Sequence, residues 1–125
     1  MIRRQKYPPP RVIAIDVDGT LQQRGSPNKR LIEWCKERKA DGFTLILWSA
    51  RGEVYARNYA ELFGVLDLFD LICSKPGYIV DDQGWGWIKY TRVIRSVGDS
   101  VEDDQSDDSE ANVDRSREGK TNDEG

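Results

Sequence analysis

Two carboxylates, Asp16 and Asp18, follow directly on a four-residue apolar run, Val12 to Ile15. Side chains alternate along a strand, so positions i and i+2 leave on one side, and a loop at the strand end can aim both at one crevice. Such a pair suits phosphoryl chemistry: one carboxylate attacks phosphorus while the other protonates the leaving oxygen. The segment Asp16-Val17-Asp18-Gly19-Thr20 also reads as an Asp-Gly turn with an incidental second aspartate, because Asp and Gly are common turn residues.

Three further places carry chemistry. Asp81 and Asp82 follow the apolar Tyr78-Ile79-Val80 and offer hard oxygen ligands for a cation such as Mg²⁺, or form a surface turn. Ser49 ends a second apolar run and precedes Ala50-Arg51-Gly52 and a helical pattern. Its hydroxyl and the N–H groups of that helix start would make an anion-binding corner; alone, it reads equally as a helix cap. Lys75 lies in a Pro- and Gly-containing turn, where its ammonium would neutralise a transferring phosphoryl group or simply sit in solvent. The chain has no histidine, so acid–base work falls to carboxylates.

The elements that must position these groups alternate. Val12–Ile15, residues 43–48, residues 69–73 and residues 78–80 read as strands, and continuous apolar runs of this kind suit strands covered on both faces, as in a parallel sheet. Between them, a helix follows Asn28 and stops at Gly42, with Leu31, Ile32, Trp34, Cys35 and the stem of Lys39 toward the core. A second runs from Glu53 to Phe63 and stops at Gly64, with Val54, Tyr55, Tyr59, Leu62 and Phe63 available for its buried side. Residues 87–97 suggest a last helix, or helix and strand. The alternation predicts an α/β domain with a mainly parallel sheet, in which ligands bind beyond the carboxyl ends of the strands. Asp16 and Asp18, Ser49, and Asp81 with Asp82 all fall at such ends.

Composition bounds the rest. The 125 residues suit one domain. Residues 99–125 contain no aromatic residue and only Val101, Ala111 and Val113 as apolar ones. Too little apolar surface is available there to offset ordering, so a disordered tail is expected beyond a core of residues 1–98. The tail holds eleven acidic and three basic residues, a charge of −8, which within the net −3 leaves the core at +5. A basic core suits a phosphate-bearing substrate, and the acidic tail either solubilises the chain or competes for that surface. Cys35 and Cys73 lack framework spacing and read as free thiols of a reducing compartment. No apolar run approaches a membrane span and the N-terminal residues lack an apolar leader region, so a cytoplasmic protein with no membrane partner is expected.

The order Asp-x-Asp, Ser, Lys, Asp-Asp resembles the haloacid dehalogenase-like phosphatase superfamily over residues 12–82. Ile15 to Thr20 is similar to its first motif, Leu47-Trp48-Ser49 to its second, Lys75 to its third and Val80-Asp81-Asp82 to its fourth. The resemblance implies a three-layer Rossmann-like fold and Mg²⁺-dependent ester hydrolysis. Asp16 would be the nucleophile that forms an aspartyl-phosphate, and Asp18 the acid and then the base. Mg²⁺ would lie among Asp16, the Asp18 carbonyl and Asp81, supported by Asp82. Ser49 and Lys75 would hold phosphoryl oxygens. Dehalogenases of the superfamily lack the second aspartate, so Asp18 points to phosphate.

Departures from the pattern sharpen the expectation. Residues 21–28 are too short for a cap domain, and residues 74–77 leave no room for one at the other insertion point. A capless site suits a bulky substrate: a nucleotide, a nucleic-acid end or a protein, unless a loop or an oligomeric partner covers it. Ser49-Ala50-Arg51 resembles the Ser-Gly-Arg of polynucleotide 3′-phosphatase domains, which would set Ala50 and Arg51 against substrate. In Gly84-Trp85-Gly86-Trp87 the two indoles either stack on a base or pack under the last helix. The expected activity is a phosphomonoesterase. A protein that binds a nucleotide or signal molecule with little turnover is the alternative, and a phosphotransferase would use the same residues.

Overall fold

The computed structural model describes residues 10–95 and residue 97. The chain is α/β. A three-stranded parallel sheet is built from β1 (Val12–Asp16), β4 (Thr44–Ser49) and β5 (Leu71–Ser74), in the order β1-β4-β5. Between β1 and β4 lie a small antiparallel ribbon, β2 (Gln22–Gln23) with β3 (Ser26–Pro27), and helix α1 (Lys29–Ala40). Helix α2 (Glu53–Leu62) and a 3₁₀ turn (Leu66–Leu68) join β4 to β5.

Register fixes which side chains share a face. Ile15, Leu47 and Ile72 are direct neighbours across the three strands, and Ile13 pairs with Leu45. This face is the core side: Ile15, Leu45, Leu47 and Ile72 are buried and pack with Leu31, Ile32 and Cys35 of α1 and Ala56 and Ala60 of α2. The alternate positions differ. Ala14 is exposed, Ile46, Trp48 and Cys73 are half-buried, and Val12 and Leu71 each keep 51% of their surface. The apolar runs therefore do not mark strands buried on both faces here, because among the described residues the helices pack on one side of the sheet.

Helix α1 starts where expected and for the expected reason. Asn28 adopts extended backbone and its Oδ1 accepts a hydrogen bond from the Leu31 N–H at 3.2 Å, the usual N-cap contact. The helix ends on Arg38 and Lys39, which favour its negative end. Helix α2 departs from expectation on its buried side. Val54 and Leu62 are each 70% exposed, whereas Ala56 and Ala60 are fully buried. Two alanines at i and i+4 let the helix axis approach the sheet closely, and Tyr55, Tyr59 and Phe63 flank that line with ring centroids 5.4 Å apart. The long apolar residues at positions 54 and 62 lie off the stripe.

Other expectations fail in the C-terminal part. Residues 78–80 form no strand: Tyr78 is 93% and Val80 101% exposed. Three apolar residues between a Pro-Gly turn and two aspartates offer too few pairing partners to offset their ordering entropy. Residues 87–95 contain no helix or strand. The expected acidic tail and the first nine residues lie outside the described residues. Cys35 and Cys73 are free thiols, and burial pushes the Cys35 thiol up to about 12. Among the described residues no helix is long and apolar enough to cross a membrane.

Candidate active site

Asp16 is the last residue of β1, Ser49 the last of β4, and Lys75 follows the last residue of β5. Parallel pairing places these three ends side by side. Asp16 is in register with Trp48, Ser49 is in register with Ser74, and the Lys75 N–H donates to the Ser49 carbonyl at 2.9 Å. The Lys75 ammonium lies 3.4 Å from Asp16 Oδ1, with both side chains partly exposed. The sheet thus brings together a carboxylate and an ammonium that lie far apart in the chain.

Past Asp16 the backbone folds into a tight loop. Gly19 takes a φ of +76°, a region disfavoured for residues with a Cβ. This lets the Leu21 N–H return to the Asp16 carbonyl at 3.2 Å and the Thr20 N–H to the Val17 carbonyl at 3.2 Å. The Thr20 hydroxyl approaches Asp16 Oδ2 at a long 3.4 Å. Asn28 ties the loop to α1, its Nδ2 donating to the Thr20 carbonyl at 3.0 Å. Between this loop and α1 the chain makes the β2–β3 hairpin. Arg24 and Gly25 both have positive φ, of 56° and 83°, as the tight two-residue turn requires.

Asp18 is held by three groups. Tyr55 Oη donates to Asp18 Oδ1 at 2.6 Å, Gln22 Nε2 donates to the same oxygen at 2.9 Å, and Arg51 Nη1 lies 3.6 Å from Oδ2. Arg51 also lies over the Tyr55 ring, 4.7 Å from its centroid. Partial burial pushes the Asp18 carboxyl up, but the Tyr55 and Gln22 hydrogen bonds and the Arg51 charge outweigh it and hold the group below the ordinary carboxylate range. Tyr55 is raised in turn, first by its hydrogen bond to Asp18. The resting pair is therefore an ionised Asp18 and a protonated Tyr55.

Ser49 is 2% exposed, and its Oγ accepts from the Arg51 N–H at 2.9 Å. It organises the turn into α2, with Ala50 and Arg51 exposed above it. Asp81 and Asp82 stand apart from the expected cluster. Both are exposed, and Asp81 Oδ1 accepts from the Gln83 N–H at 2.8 Å, closing a surface turn. Among the described residues no fourth strand brings these carboxylates into register with β1. Among the described residues no group of three or more Asp, Glu, Cys or His side chains is arranged to hold a metal. The oxygens at positions 16 and 18 are nevertheless of the kind Mg²⁺ takes, and that ion is often held by one or two carboxylates with water and substrate phosphate.

Two participants were not apparent from the sequence. The helical pattern offers Tyr55 to the buried side of α2, and nothing in the sequence marks Gln22. Tyr55 stands four positions after Arg51, the spacing at which helical side chains meet, but only the fold shows that both face Asp18. No protein-family model, curated protein or solved structure matches this chain.

Proposed function

We infer that the chain is a phosphomonoesterase working through an aspartyl-phosphate on Asp16, built on a capless α/β core of the haloacid dehalogenase-like kind. The observation that carries this is the Lys75 ammonium 3.4 Å from Asp16 Oδ1, reaching across the carboxyl end of β4 from the end of β5 to that of β1, with Asp18 two residues on. A carboxylate beside a fixed cation suits attack on a phosphoryl group whose charge that cation then meets. In the first step an Asp16 oxygen bonds to phosphorus and the ester P–O bond breaks. The departing oxygen takes a proton that Asp18, ionised at rest, first draws from solvent; the carboxylate so restored then removes a proton from the water that hydrolyses the acyl phosphate. Lys75 and Arg51 face the phosphoryl oxygens, and Ser49 fixes the turn that presents Arg51. Mg²⁺ bound at Asp16 and the Asp18 carbonyl would neutralise phosphate charge.

The side chains of Asp16, Asp18, Lys75 and Arg51 are 32%, 40%, 40% and 66% exposed. So open a site suits a nucleotide, a nucleic-acid end or another bulky phosphate ester. Two free thiols suit a reducing, cytoplasmic setting. Phosphate release from an aryl phosphate with Mg²⁺ tests the proposal. Asp16→Asn protein should give only the buffer rate, and Lys75→Met should lose roughly 10²–10³-fold, the worth of one electrostatic stabiliser. Unchanged turnover in Asp16→Asn would remove Asp16 from the nucleophile role.

A second function is favoured by one observation: Asp18 rests ionised under three donors, and among the described residues no third carboxylate joins Asp16 and Asp18 in a metal-holding group. That arrangement suits a protein that binds a phosphorylated nucleotide or signal molecule with little turnover. Calorimetry showing saturable nucleotide binding without phosphate release would select it.

A further inference from the structure

We propose that residues 83–95 form a binding site for single-stranded nucleic acid, distinct from the strand-end cluster and independent of any phosphatase activity. Trp85 and Trp87 lie side by side, ring centroids 5.7 Å apart and planes inclined by 35°. They are 55% and 45% exposed, and Tyr90 is 61% exposed. Neither indole is packed beneath a helix.

Successive turns hold this arrangement. The Gly84 N–H donates to the Asp81 carbonyl at 3.3 Å, Gly86 N–H to the Gln83 carbonyl at 2.9 Å and Ile88 N–H to the Trp85 carbonyl at 3.1 Å. A side chain at position 86 would bring its Cβ to 3.2 Å from the Gln83 carbonyl, so glycine eases the close turn between the two indoles. Large aromatic side chains grouped in water in this way are a common mark of an interaction site.

Charge selects the partner. Residues 83–95 carry Lys89, Arg92 and Arg95 and no acidic residue, and Lys89 is exposed. Aromatic faces interleaved with cations match unpaired bases joined by phosphates, each base stacking on a ring while the backbone meets the charges. A duplex keeps its bases stacked on one another and cannot use the indoles in this way. A neutral apolar peptide would use the rings but not the net positive charge of the segment.

The test uses the full chain and a 5′-fluorescein oligothymidylate of about 12 nucleotides without a terminal phosphate, read by anisotropy. Lack of a phosphate ester keeps the result separate from hydrolysis. Saturable binding is expected, with a log–log salt slope of about −2 for three phosphate contacts. Trp85→Ala/Trp87→Ala should weaken binding at least about tenfold, while Trp85→Phe/Trp87→Phe keeps most of the affinity. Lys89→Gln leaves both rings in place and should reduce the salt slope by about 0.7. Undetectable binding, equal affinity for single strand and duplex, an unchanged Trp85→Ala/Trp87→Ala protein, or binding of a proline-rich peptide in place of the oligonucleotide would each overturn the proposal. If the alanine variant fails to fold, the phenylalanine and Lys89→Gln proteins still decide it.

Discussion

Leu47 and Ile46 are adjacent in one strand and both apolar, yet they should differ sharply on truncation. Leu47 is fully buried between its register neighbours Ile15 and Ile72, while Ile46 points to the opposite, half-exposed face beside Ala14 and Leu71. Truncating a packed leucine to alanine costs about 2–5 kcal/mol, from lost burial and from the cavity left behind. The described domain should have a total stability of roughly 4–13 kcal/mol, at about 0.05–0.15 kcal/mol per residue. Leu47→Ala therefore removes a large share of it. Ile46 is only partly withdrawn from water, so Ile46→Ala should cost about half as much, roughly 1–2 kcal/mol. Urea unfolding followed by far-UV circular dichroism measures both. With a slope of about 1–3 kcal/mol per molar, the Leu47→Ala midpoint should fall by at least about 0.7 M. Equal losses in the two variants would refute the one-sided core, and a larger loss for Ile46→Ala would reverse it.

Two further outcomes follow from the loop and the Asp18 cluster. Asn28→Ala removes both the α1 cap and the tether to the Thr20 carbonyl. It should cost about 1–2 kcal/mol in urea unfolding, and broaden the amide signals of residues 16–20. Tyr55→Phe removes a donor that favours the charged form of Asp18, so the Asp18 carboxyl should titrate at higher pH than in the parent protein, where it lies below the ordinary 3.8. Carbon-13 carboxyl NMR reads this directly, and an unmoved titration would mean that the Tyr55 contact does not set it. The sign for stability follows. A lowered carboxyl stabilises the fold above its unfolded value and loses that contribution as the pH falls through the folded one. Stability should thus fall less between neutral and acid pH in Tyr55→Phe.

Much of the arrangement was legible in the chain itself. Apolar runs bounded by glycine and polar residues marked β1, β4 and β5, and Asn28 and Gly42 marked the limits of α1, because strand burial and helix capping are local matters of composition and spacing. That Asp16 and Ser49 stand at strand ends was also visible, since a parallel sheet aligns those ends, whereas Lys75 reads from the sequence only as a turn residue. Other features depended on packing. Whether a strand is covered on one face or two depends on where the helices lie, which a run such as Val12-Ile13-Ala14-Ile15 does not encode. Ala56 and Ala60 became the buried line of α2 because close approach to the sheet rewards small side chains. The apolar residues 78–80 read as a strand, but strands need partners, and here they found none. At Asp18 the sequence supplied the carboxylate. The tertiary structure brought Tyr55, Gln22 and Arg51 to it, and those contacts hold its carboxyl below the ordinary range.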